Sequence, residues 1–152
     1  MKPMKYLGTS LAAIVLALFS LQAIAIEANS TVAVGGYDLV SYHSGKKPLP
    51  GNGNHVVQHD GANYLFASKA NADEFKQNPE RFLPAYGGYC AFGVSVGKKF
   101  IADPTVWEVV EGRLYLNLDN GIKKIWAEDI AGNIVNADKA WPEIRDVAAS
   151  EL

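Results

Sequence analysis

The sequence predicts an α+β fold in one small domain. Asp60-Gly61 and Glu111-Gly112 each separate two short runs rich in β-forming residues, which marks two hairpins. Between and after them, apolar residues recur at helical spacing. The 152 residues, 49% of them hydrophobic and 11% aromatic, suffice for one ordinary core.

Taken in order, Gly35-Gly36 opens Tyr37 to His43, where Asp38 is placed to cap one or two helical turns. Residues 46–54, with Pro48, Pro50, Gly51 and Gly53, read as a loop. His55–His59 and Ala62–Phe66 are the strands of the first hairpin. Ser68 caps a helix reaching Gln77, with Ala72 and Phe75 inward, and Pro79 suits the first position of a further short helix through Phe82. Gly87-Gly88 is a break. The apolar run Tyr89–Val96 fits either a short buried helix or a strand. After a turn at Asp103-Pro104, Trp107–Val110 and Leu114–Leu116 form the second hairpin. Ile122, Ile125, Trp126 and Ile130 then lie on one helical stripe, Gly132 ends that helix, and a last short helix carrying Ile134, Ala137 and Trp141 stops at Pro142. On this reading the chain shows no internal repeat and no domain boundary.

Residues 1–25 read as a secretory signal. Lys2 and Lys5 precede an apolar stretch from Tyr6 to Leu21, and Ala23-Ile24-Ala25 offers the small-x-small cleavage pattern. The alternative is a retained anchor helix, since Tyr6 to Ile26 is close to the ~20 residues that span a bilayer. Cleavage leaves residues 26–152 as one domain, periplasmic or secreted, with no membrane span. It removes two lysines and no acid, so 12 basic residues then face 16 acidic ones, a net charge of −4. Such a chain has no cationic excess for nucleic acid. Its single cysteine excludes an internal disulfide, a Cys-x-x-Cys redox pair and a zinc finger. No Gly-x-Ser-x-Gly element or phosphate-cradling loop appears, so an enzyme is not the expectation.

The order Asp60-Gly61, Tyr64, Phe66, Ser68, Phe75, Pro79 and Phe82 resembles the YHS domain. Gly36-Tyr37-Asp38, Tyr86-Gly87-Gly88-Tyr89-Cys90-Ala91, the hairpin from Gly112 to Asn117 and Trp141-Pro142 extend the likeness to the exported, stand-alone YHS domain-containing proteins of bacteria. The resemblance implies a hairpin-and-helix core and, in YHS domains attached to copper transporters, two cysteine ligands. Those two positions are Ala67 and Asn71 here, and the histidine of the motif corresponds to Leu65. The stand-alone branch keeps the later cysteine, here Cys90, which some members replace by selenocysteine; this implies redox or soft-metal use.

Cys90 is therefore the first candidate residue. As a metal site it needs His43, His55 or His59 beside it and a third ligand brought by folding, such as His43 or Asp38, thiolate and imidazole being ligands for copper(I) or zinc. His55 and His59 share a strand face but stand ~13 Å apart, too far to hold one ion. As a reactive thiol, Cys90 would sit at the start of a helix whose dipole lowers its pKa. The plain alternative is a small buried hydrophobe. Tyr37, Asp38, Tyr86 and Tyr89 are the expected pocket around it, although capping and core packing also account for them. The functional expectation is a non-enzymatic binding module, metal-related through Cys90. Its alternatives are a thiol-dependent redox protein and an accessory domain that docks on an envelope protein.

Overall fold

The structure, a computed structural model, describes residues 30–152; the expected signal segment lies outside them. The fold is the expected α+β single domain. Strands β1 (Asn52–His59) and β2 (Ala62–Phe66) form one antiparallel hairpin, and β3 (Asp103–Val110) and β4 (Arg113–Asn117) form another. Helices α1 (Lys69–Gln77) and α2 (Pro79–Phe82) follow the first hairpin. Helix α3 (Ala91–Ser95) precedes the second, and α4 (Asn120–Glu128) and α5 (Ile130–Ile144) follow it.

Local chemistry explains most boundaries. The Ser68 hydroxyl accepts from Asn71 N at 3.1 Å and starts α1, and Pro79 opens α2. Asp60-Gly61 and Glu111-Gly112 adopt the paired left-handed conformation of a tight hairpin, with φ of 46° and 78° in the first and 51° and 79° in the second. The ambiguous run resolves as helix α3, with Cys90 at its N-cap.

Three expectations need correction. The loop after Lys46 ends early, because β1 begins at Asn52 and reaches Val56 through a bulge. Gly132 does not end a helix: the break falls at Asp129, whose carboxylate accepts from Gly132 N at 2.9 Å and starts α5. A side chain at Gly132 would collide with that carboxylate, so the glycine serves a close approach. Pro142 lies inside α5, in its final turn, where the lost N–H removes a single bond and the helix continues to Ile144.

The larger correction is that the chain contains an internal repeat. Hairpin, capped nine-residue helix and second helix occur twice, with the caps Ser68 and Asp119 standing 51 residues apart. Both hairpins share one register and one bulge: Asn52 pairs with Phe66 and Val56 with Leu65, as Asp103 pairs with Asn117 and Trp107 with Leu116. The second helices start from matching residues, Asn78 at φ −152°, ψ 76° and Asp129 at φ −148°, ψ 75°. A left-handed turn precedes each unit. Val34 and Gly35 (φ 49° and 58°) are matched by Tyr86 and Gly87 (φ 56° and 60°). Asp38 N donates to Leu49 O and Cys90 N to Phe100 O, both at 2.9 Å.

The two units are welded through β4. Successive strand residues face opposite sides. Leu114 and Leu116 join the core of the first unit with Leu39, Phe66, Phe75 and Phe82, while Tyr115 joins Trp126, Val94, Ala137 and Ile144 in the second. One strand thus closes two cores. Among the described residues no helix is long and apolar enough to cross a membrane.

Candidate functional site

Cys90 is sealed in the interior, 1% exposed. Its Sγ accepts from Gly93 N at 3.4 Å and donates to Asn117 Oδ1 at 3.6 Å. The same Oδ1 accepts from Phe92 N at 3.2 Å, and the fully buried Asn117 leaves its Nδ2 without a partner. The thiol is therefore a helix cap tied to the end of β4.

Asp38 holds the equivalent place in the first unit and is also fully buried. Its Oδ1 accepts from Val40 N at 2.9 Å and Ser41 N at 3.2 Å, and its Oδ2 accepts from Ala67 N at 2.9 Å and Asn71 Nδ2 at 2.7 Å. Ala67 and Asn71 are the positions where the resemblance implies cysteine ligands. Here both donate to one carboxylate that staples turn, hairpin and α1 together.

The histidines are elsewhere. His43 stands edge-on to Phe82 at 5.4 Å, with Nε2 buried and unpartnered; burial, then the nearby Arg81, holds its pKa below the ordinary range, against an opposing pull from Glu74. His59 packs edge-on to Phe75, and its Nε2 lies 3.5 Å from Asp60 Oδ2 and 3.9 Å from Glu80 Oε1. Among the described residues no three His, Cys, Asp or Glu side chains form a group that could hold a metal ion. Cys90, His43 and His59 are accordingly not brought together.

What the fold does bring together is the pair of left-handed turns. A methyl group built on Gly88 would lie 3.8 Å from Val34 Cγ2, so the turns are neighbours, and an open cleft of about 770 Å³ lies against both. Tyr86 and Tyr89 of the expected pocket line it, with Val34 and Ile101. Tyr37 packs on the first core, and Asp38 is occupied as described. Val34 and Tyr86 are non-glycine residues at positive φ, a conformation that costs roughly 1–3 kcal/mol and persists only where its surroundings enforce it.

The walls differ chemically. On the second unit's side, Trp141 meets Tyr86 at 5.9 Å and Tyr89 at 6.2 Å between ring centroids. The Arg113 guanidinium lies 5.0 Å over the Tyr86 ring, and both Arg113 Nη1 (3.2 Å) and the Tyr86 hydroxyl (2.9 Å) donate to Asp138 Oδ1. Burial first, then that carboxylate, pushes the Tyr86 phenol well above its usual range. On the first unit's side the carboxylates of Asp60 and Glu80 stand near Tyr64, whose phenol is pushed up by burial, then by Asp60, then by Glu80. Among the described residues lining the cleft there is no cysteine, histidine or serine. This lining can bind and orient a molecule without a nucleophile of those types.

Arg113 and Tyr64 were not singled out as site residues from the sequence. The available signal was Gly-Gly-Tyr at Gly35–Tyr37 and Gly87–Tyr89, followed by Gly-Lys-Lys at Gly45–Lys47 and Gly97–Lys99, both pairs 52 residues apart.

Fold and site together define a two-unit α+β module with a cleft between its turns. Residues 40–86, which hold the first hairpin with α1 and α2, match the family model of the YHS domain. Comparison with curated proteins and with solved structures finds no match.

Proposed function

We propose that this protein is an exported, non-enzymatic binding module that takes a small molecule in the cleft between its two units. The observation that carries the proposal is the cleft itself, walled by two strained turns and by Tyr86, Tyr89 and Trp141. Export rests on Lys2, Lys5, the apolar stretch and the Ala23-Ile24-Ala25 site. Titration with indole, followed by thermal unfolding and by tryptophan fluorescence, tests the binding. Saturable stabilisation that Trp141→Ala weakens supports it; no response to indole in either readout rejects it.

A second proposal keeps the metal association of the YHS domain: Cys90 would contribute one soft ligand for copper(I) or zinc, the others coming from an envelope partner. It requires the turn before α3 to open and expose the thiol. Stoichiometric metal binding in the partner's presence, lost in Cys90→Ser, is its test; binding unchanged by that substitution rejects it.

A further inference from the structure

The cleft's lining carries charged groups from both units, Asp60 and Glu80 from the first and Arg113 from the second. The Asp60 and Glu80 side chains are 86% and 81% exposed, and among the described residues no Lys or Arg pairs with either. The His59 imidazole stands 3.5 Å from the first and 3.9 Å from the second. Arg113 belongs to the second unit. Its Nη1 is ion-paired with Asp138 at 3.2 Å and its guanidinium lies over the Tyr86 and Tyr115 rings, and the remaining N–H donors of the fork can add a second carboxylate. Much of the remaining lining is apolar and aromatic, with Val34, Ile101, Tyr89 and Trp141.

We infer that the ligand of this cleft is a short apolar peptide, its protonated amine at Asp60 and Glu80 and its terminal carboxylate at Arg113, with its side chains on the aromatic shelf. The inference rests on the cleft reading above and deepens it. A purely apolar molecule would leave the charged groups of both units unused. An organic cation would meet the Arg113 guanidinium, which already lies over the Tyr86 ring. A free peptide satisfies both kinds of charge at once.

Calorimetric titration of the protein with leucyl-tryptophan, its N-acetyl derivative, its C-terminal amide and indole tests this. Saturable binding of the dipeptide is expected, weakened about tenfold by acetylation and again by amidation. The exposed double substitution Asp60→Asn with Glu80→Gln should erase the difference between dipeptide and N-acetyl dipeptide while leaving the thermal transition in place. Indole bound as tightly as the dipeptide, or a dipeptide indifferent to both caps, overturns the peptide assignment and leaves the cleft reading standing. Binding of neither indole nor dipeptide overturns both.

Discussion

Asp38 and Cys90 occupy the same place in two copies of one turn. Each follows a left-handed Gly-Gly pair and a tyrosine, and each accepts through its side chain from the backbone N–H three residues on, Ser41 for Asp38 and Gly93 for Cys90. The copies differ in how they are satisfied. Asp38 receives four hydrogen bonds, whereas Cys90 shares Asn117 with Phe92 and leaves the Asn117 Nδ2 idle.

The two caps should therefore differ in worth. Asp38→Ala strands Ala67 N and Asn71 Nδ2 and should destabilise by roughly 2–4 kcal/mol, while Cys90→Ala should cost roughly 1–2 kcal/mol. Urea unfolding of both variants checks the order. Equal losses would mean that Asp38 is not a staple.

Cys90 should label slowly in the native protein. A sealed thiol is reached only through opening, so alkylation by iodoacetamide should rise with urea in step with unfolding. Prompt native-state labelling near neutral pH would instead favour the redox alternative.

Acid should act through His43. Its folded-state pKa is lowered by burial, so the unfolded chain takes up a proton below the ordinary value near 6.5 before the folded one does. The stability that His43 contributes is complete above that pH and is lost as pH falls toward the depressed value. His43→Gln should flatten the decline in stability below pH 6.5 relative to the parent. An unchanged slope would contradict the assignment.

The second hairpin carries a residue ill-suited to its backbone. Glu111 is held at φ 51° in an exposed turn where asparagine is at ease. Glu111→Asn should stabilise by about 0.5–1 kcal/mol, read as a rise in melting temperature.

Much of the fold was legible because its signals are local. Asp60-Gly61, Ser68 and Pro79 each set a boundary through their own backbone chemistry. The repeat is hard to read for the opposite reason: outside the shared Gly-Gly-Tyr and Gly-Lys-Lys its copies agree in geometry while their letters diverge, Ser68 against Asp119 and Phe66 against Asn117, because different side chains meet the same capping and packing demand. The site was half legible. Tyr86 and Tyr89 stand next to the glycines that drew attention to them. Arg113, 25 residues upstream of its partner Asp138, reaches the cleft only because β4 lies between two cores.

The most direct test of the cleft is an amide-shift titration of the isotope-labelled protein with leucyl-tryptophan. The amides of Val34–Gly36 and Tyr86–Tyr89 should move together along one saturation curve, since both turns wall the same space. Shifts confined to one turn, or lying away from both, would contradict a ligand held between the two units.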